Sequence, residues 1–325
     1  MFRGRDMDGT LVDVLFVLSG FALLMGGGEA LVQGATRISQ SLSVSPLVVG
    51  FTVVAVGTSL PELAVAIEAI GNDAPDIAIG GVLGSNVANV MLVLGTAALL
   101  GAKSEGGEGV RRDSVAVIVA TSFMAIFVFG GEVPLSGGVV MLSCLIAYYY
   151  YTYSKAIAGD DEYEFEESWL PRKMSVAIPT CIIGGAMIWF GAILLVDGST
   201  NIAETFGVSE AVIGLTIVAL GTSLPELAVT VVAGLRGQGG VAVGNVLGSN
   251  VMNIMGIIGI ASIFGGGIEV DSEFTRDIMV VIATSGFVVI AFLRGKDFSR
   301  AVGSLMILTY LSYMTYLSGL LDGLV

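Results

Sequence analysis

The chain contains no histidine. That absence excludes imidazole metal ligands and removes the commonest general base and proton relay near neutral pH. Charge is also scarce: only 13% of the 325 residues are Asp, Glu, Lys or Arg, against roughly 25% in soluble domains. Cysteine occurs twice, at Cys144 and Cys181, each inside an apolar stretch. Two isolated thiols make neither a disulfide framework nor a thiolate metal site. The 14 basic residues are outnumbered by 28 acidic ones, for a net charge of −14, which argues against a nucleic-acid partner.

Apolar residues are plentiful, at 54% of the chain, and 46 positions are glycine. Mean hydropathy is +0.89. Such a chain belongs in a bilayer, where small residues let helices approach closely. Apolar segments of spanning length fall at roughly 11–36, 46–71, 76–101, 114–131, 134–154, 174–200, 210–235, 240–265, 276–294 and 301–321. Ten spans divide into five and five about the loop 155–173. Because five is odd, the second set enters from the opposite face, as in transporters built from inverted repeats. The expected fold is therefore an all-α polytopic membrane protein: a first repeat at 1–154, an acidic linker at 155–173 and a second repeat at 174–325.

Loop charge orients this layout. Loops between spans 1–2, 3–4, 5–6, 7–8 and 9–10 carry eleven Lys and Arg residues, and the opposite face carries Arg3, Arg5 and Arg276. The positive-inside rule places the richer face in the cytoplasm and both termini outside. The acidic run Asp160–Glu167 is then a solvated cytoplasmic segment. The first apolar stretch belongs to the repeat and not to a cleaved leader, because Gln33–Thr36 matches Asp197–Thr200 at an offset of 164 residues.

The same offset relates two stronger motifs. Gly57–Glu62 reads GTSLPE and recurs unchanged at Gly221–Glu226; Gly84–Val87 reads GSNV and recurs at Gly248–Val251. Around them, residues 50–70 and 214–234 agree at 14 of 21 positions, and 80–96 and 244–260 at 10 of 17. Ser45 before Pro46, and Ser209 before Glu210, read as helix N-caps opening the two motif spans. Each first motif sets a carboxylate beside a proline at membrane depth, where a charge costs roughly 2.5–3.5 kcal/mol and marks function. Pro61 and Pro225 cannot donate to the carbonyls of Gly57 and Gly221. Backbone oxygens of Ala55, Gly57, Thr58, Ala219, Gly221 and Thr222 are candidates to leave the helical ladder, which lipid tolerates only beside protein or a polar cavity.

Side chains gathered at the breaks are Thr58, Ser59 and Glu62, repeated as Thr222, Ser223 and Glu226. Ser85 with Asn89, and Ser249 with Asn253, add i,i+4 pairs from the second motif. For Asn86 and Asn250 the expected role is interhelical hydrogen bonding. Nearly every donor atom is oxygen, the preference of hard cations such as Ca²⁺. Glu29 and Glu68 have no acidic counterpart at the repeat offset. Glu68 is expected at the outer surface, and Glu29 as a secondary polar site.

The paired GTSLPE and GSN motifs resemble those of prokaryotic sodium/calcium exchangers of the Ca²⁺:cation antiporter superfamily, and the resemblance spans all ten expected helices. It implies a central core of four motif helices crossed by two long gating helices, here 11–36 and 174–200. It implies Ca²⁺ and Na⁺ competing at Glu62 and Glu226, with Thr58, Ser59, Ser85, Thr222, Ser223 and Ser249 as surrounding ligands. Carbonyls of Ala55 and Ala219, with Asn89 and Asn253, complete the set. The transported ions that the resemblance implies are Ca²⁺ and Na⁺. No cofactor, enzymatic activity or obligate protein partner is implied, and the location is a prokaryotic plasma membrane. Archaeal relatives often carry Asp at one of the two second-motif positions filled here by Asn89 and Asn253. Side-chain charge in the core is therefore −2, neutralised by one Ca²⁺ or two Na⁺. The long regulatory insert of animal exchangers is replaced by the short 155–173 loop.

Three rival readings compete with this one. Two carboxylates about 8 Å apart repel by about 2 kcal/mol at an effective dielectric of ~20, which protons would relieve as cations do, so proton-coupled antiport is the nearest rival. The proton-coupled branch uses a different first motif. A passive channel does not account for the inverted repeat. An intramembrane diacid protease would leave the hydroxyl-rich surroundings without a purpose.

Overall fold

Helix follows helix along the computed structural model, which describes residues 7–103, 107–158, 168–208 and 219–317. The acidic run 160–167, the expected cap at Ser209, Arg3, Arg5 and the first part of the 210–235 span lie outside the described residues. Helix α1 spans Met7–Leu42. A composite segment follows: α2 (Pro46–Val49), a π-helical turn (Gly50–Val54), α3 (Ala55–Thr58) and α4 (Leu60–Gly71). Next come α5 (Pro75–Ala88), a second π-turn (Asn89–Val93) and α6 (Leu94–Leu100), then α7 (Gly107–Gly130), strand β1 (Glu132–Pro134) and α8 (Leu135–Ala158). The second half contains α9 (Met174–Thr205), α10 (Ala219–Gly221) and α11 (Leu224–Leu235). After these come α12 (Gly239–Val251), a π-turn (Met252–Ile258), α13 (Gly259–Gly265), β2 (Gly267–Glu269), α14 (Phe274–Leu293) and α15 (Arg300–Leu317).

Among the described residues, seven helical stretches are long and apolar enough to cross a bilayer, and eight if the bent pair Pro46–Thr58 and Leu60–Gly71 is one span. α1 and α9 run past the expected limits because the helix continues into polar residues beyond the apolar stretch. Ser45 caps α2 as expected: its backbone is extended and its Oγ accepts from the Val48 N–H at 3.3 Å. The all-α expectation needs one correction. β1 and β2 form a short antiparallel ladder with Glu132 opposite Glu269, tying two connections expected on one face. Strands of three residues carry no periodicity from which they could be read.

Large apolar side chains such as Leu11, Phe21, Ile126, Phe190 and Leu305 lie exposed on the outside, the inverse of a water-soluble surface. Inside, packing rather than escape from water must hold the helices together. One apolar cluster surrounds Phe51, Leu83, Leu247 and Ile257; another lies under α1 and α9 around Leu31, Ile188 and Val229.

α1 and α9 cross in opposite directions along glycines spaced by seven residues. A Cβ on Gly27 would lie 2.7 Å from the Gly184 carbonyl oxygen, and one on Gly20 would lie 2.7 Å from that of Gly191. Adding 164 to Gly20 and Gly27 gives Gly184 and Gly191, so the first contact maps onto the second. Gly34 against Ala177 maps in the same way onto Gly198 against Asp13. Each pairing lets backbone touch backbone where any side chain would intervene.

The first ends of this crossing are tied to other elements. Arg37 donates from Nε to the Leu170 carbonyl at 2.6 Å and from its second guanidinium nitrogen to that of Ser168. Glu29 pairs with Arg236 at 2.9 Å, accepts from Gln33 and meets the Trp169 indole N–H. The expected secondary polar site at Glu29 is thus an ion pair joining α1 to the end of α11, and Glu68 is exposed as expected.

Gly184→Val should therefore separate α1 from α9, at about 1–3 kcal/mol as for other overpacked cores. Gly185→Ala, one residue along, where a Cβ meets nothing within 4 Å, should be neutral. Thermal unfolding of the two purified variants in detergent checks this; equal melting temperatures would show that the glycine crossing is not tight.

Candidate functional site

The break in the first motif is centred on Ser59, whose dihedrals (φ −86°, ψ 4°) leave the helical well. The axes of the flanking helices differ by 43°. Ser223 adopts nearly the same conformation (φ −86°, ψ 0°) between α10 and α11. Proline two residues on explains both: its ring displaces the carbonyl four residues back and supplies no N–H. The consequence for the carboxylates is direct. Glu62 and Glu226 each fall in the first turn of a new half-helix, where the positive end of the helix dipole meets them.

Not every expected carbonyl leaves the ladder. The Ala55 oxygen still accepts from the Ser59 N–H at 3.0 Å, and the Thr58 hydroxyl lies 3.3 Å from it. Proline frees only the acceptor four residues before itself, Gly57, and Ala55 stands six before it. Ala55 therefore offers at most its second lone pair. In the other half the Ser223 N–H bonds the Leu220 oxygen at 3.1 Å, a tighter turn. Ala219 opens α10, and Thr222 is half-buried.

Side chains from both halves meet around each carboxylate. Ser59 and Ser249 donate to Glu226 Oε1 at 3.3 and 3.4 Å. Ser85 donates to Glu62 Oε1 at 3.3 Å, lies 3.4 Å from Ser223 Oγ and accepts from Asn253 Nδ2 at 3.1 Å. Thr58 Oγ1 stands 3.4 Å from Ser249 Oγ. Asn89, one turn beyond Ser85, is fully buried. Asn89 opens the first second-motif π-turn, and Asn253 lies in its counterpart, an irregularity common at functional sites. Asn86 and Asn250 correct the expectation of interhelical bonding: each amide nitrogen bonds the carbonyl four residues back on its own helix, at 2.8 and 2.9 Å. On a helix that acceptor is always in reach.

Several buried oxygens here have no hydrogen-bond partner: Glu62 Oε2, Glu226 Oε2, Asn89 Oδ1 and Asn253 Oδ1. Unpartnered buried acceptors are rare and costly, and a hard cation satisfies several at once. Among the described residues no three Asp, Glu, Cys or His side chains form a metal cluster. The arrangement is instead two carboxylates amid neutral oxygens, suited to a cation that must leave again. An apolar cavity of about 500 Å³ lined by Leu31, Gly57, Cys181 and Trp189 lies beside the first break. Its apolar lining offers a cation almost nothing.

Known proteins resemble this chain over most of its length. The family model described as sodium/calcium exchanger protein matches residues 12–154 and 176–319. The putative antiporter CaxA of Alkalimonas amylolytica is 33% identical over 93% of this chain and 98% of its own length. The sodium/calcium exchanger MaX1 of Methanosarcina acetivorans is 31% identical over 94% of this chain and 98% of its own. A solved structure of the sodium-calcium exchanger NCX_Mj, soaked with Na⁺ and Sr²⁺, superposes with a TM-score of 0.81 at 32% identity, over 94% of this chain and 98% of that one.

With amides at both 89 and 253, neither position has a proton to lose. Asn253→Asp, set 3.1 Å from Ser85 in place of the amide, adds a group that must shed its proton before joining the cation. Ca²⁺ binding by the variant, followed by calorimetry, should weaken in acid and strengthen toward alkaline pH more steeply than in the parent. Superimposable pH profiles would remove Asn253 from the cation's surroundings.

Proposed function

Since the chain belongs to the sodium/calcium exchanger family, we propose that it exchanges Ca²⁺ for Na⁺ by alternating access, with Glu62 and Glu226 as the central ion ligands. It is a multi-pass protein of the plasma membrane, and its family is one of transporters, not enzymes. The observation that carries the ligand assignment is the pair of buried carboxylates, Glu62 with Oε1 held by one serine hydroxyl and Glu226 by two, each with Oε2 unpartnered.

Electrostatics explains why such a site would exchange rather than leak. An empty cavity holding two carboxylates in a medium of low dielectric is strained by repulsion and by lost hydration. One Ca²⁺ or two Na⁺ cancel the charge of −2. The loaded forms can then be occluded, while the empty form resists occlusion, so each inward passage requires an outward one. Ser59, Ser85, Ser223, Ser249, Thr58 and Thr222 would supply neutral oxygens, together with Asn89, Asn253 and the Ala55 and Ala219 carbonyls. These ligands hold an ion without holding it permanently.

The reading extends to architecture. Ten membrane helices form two inverted five-helix repeats, 1–154 and 174–325, joined by the cytoplasmic linker 155–173, with both termini outside. The two blocks matched by the family model, the 164-residue offset and the mapped glycine contacts of α1 and α9 support it. In a two-fold arrangement, exchanging the conformations of the repeats turns an outward-facing site inward.

Glu62→Gln and Glu226→Gln keep side-chain size and remove one charge each. Each should lower Na⁺-driven Ca²⁺ uptake into proteoliposomes more than tenfold while the protein elutes as a single folded species. Near-normal exchange in either variant would remove that glutamate from the site.

A further inference from the structure

Asn245 belongs to neither repeated motif, yet it is fully buried on α12 and joins three parts of the site. Its Nδ2 lies 3.4 Å from the backbone oxygen of Glu226 and 3.3 Å from Thr230 Oγ1; its Oδ1 lies 3.1 Å from Thr58 Oγ1. The amide orientation follows from chemistry. A backbone carbonyl only accepts, so the nitrogen must face Glu226 and the oxygen must face Thr58.

That orientation offers the Thr58 hydroxyl its nearest acceptor. A hydroxyl has one hydrogen; Asn245 Oδ1 at 3.1 Å, the Ala55 oxygen at 3.3 Å and Ser249 Oγ at 3.4 Å lie within hydrogen-bond distance of this one, and the Glu226 carboxylate also interacts with it. Asn245 is the nearest, and its oxygen cannot donate in return. With the proton committed there, the Thr58 lone pairs and the second lone pair of Ala55 remain available. Resting on the Ca²⁺/Na⁺ exchange reading above, we propose that Asn245 is a positioning residue that turns the Thr58 and Ala55 oxygens toward a cation held beside Glu226.

The repeat makes this role one-sided. The position 164 residues earlier is Gly81, which has no side chain and cannot serve the Thr222 hydroxyl. Thr58 is therefore oriented in advance as an oxygen ligand, in a way that Gly81 cannot repeat for Thr222.

A double-mutant cycle tests the proposal on purified exchanger in proteoliposomes, reading half-saturating Ca²⁺, half-saturating Na⁺ and maximal rate. Asn245→Ala should raise half-saturating Ca²⁺ about tenfold, as expected for one lost buried hydrogen bond, with a smaller change for Na⁺. Asn245→Gln keeps a neutral amide able to donate to Glu226 and accept from Thr58 and should raise half-saturating Ca²⁺ less than Asn245→Ala, which also provides a variant if the alanine form does not accumulate. Thr58→Val should raise half-saturating Ca²⁺ similarly, and the double variant Asn245→Ala with Thr58→Val should be no worse than Thr58→Val alone. Additive losses, or unchanged Ca²⁺ dependence in Asn245→Ala while Thr58→Val is impaired, would overturn the role of Asn245. Unchanged Ca²⁺ dependence in Thr58→Val would instead remove Thr58 from the ligand set, and the role of Asn245 with it.

Discussion

Two carboxylates buried at membrane depth impose the constraint from which the rest of this structure follows. Neither can remain there as an isolated charge. The fold meets the requirement by breaking the two motif helices at Ser59 and Ser223, so that Glu62 and Glu226 each open a new helix. Hydroxyls from both halves then close on them: Ser59 of the first half reaches Glu226, and Ser223 of the second lies beside Ser85 at Glu62. Glu226 is served directly by the other half, and Glu62 through Ser85, which Ser223 and Asn253 touch. The site therefore exists only where the two halves meet.

The outer frame obeys the same two-fold logic with different chemistry. α1 and α9 touch through glycine backbones, and the contacts on one side of the crossing map onto those on the other. Lipid gives no hydrophobic reward for bringing helices together, so close backbone approach must supply the attraction. Side chains such as Ile188 beside Gly27 and Val17 beside Gly198 pack against the same glycines. At its polar end the seam is held by charge: Glu29 to Arg236, and Arg37 to the carbonyls of Ser168 and Leu170. At the opposite end Asn201 of α9 donates to Asp13 of α1 at 2.9 Å, so polar bonds hold the crossing at both ends.

Much of the site was legible because proline and glycine act locally. Pro61 and Pro225 mark breaks wherever the chain folds, and identity at a fixed offset ties both to one design. Ser59, Ser85, Ser249 and Asn253 could be selected by spacing, and they meet the glutamates directly or through one neighbour. Asn245 escaped because a search guided by repetition favours symmetric positions, and its counterpart is Gly81. The Glu29–Arg236 pair joins residues 207 apart, a separation that no local pattern spans. The π-turns at Asn89 and Met252 carry no marker in composition. The glycine seam did leave a signal, since Gly20, Gly27 and Gly34 recur at Gly184, Gly191 and Gly198. That pattern lies among apolar residues, away from the polar motifs.

The central claim is that cation charge, and Na⁺ in particular, neutralises the two glutamates on the return passage. The direct measurement is uptake of radiolabelled Ca²⁺ into proteoliposomes under an outward Na⁺ gradient and, separately, under an outward proton gradient of equal size with no Na⁺ present. The account predicts rapid uptake under the Na⁺ gradient and none above background under the proton gradient. Uptake driven by protons alone would contradict it.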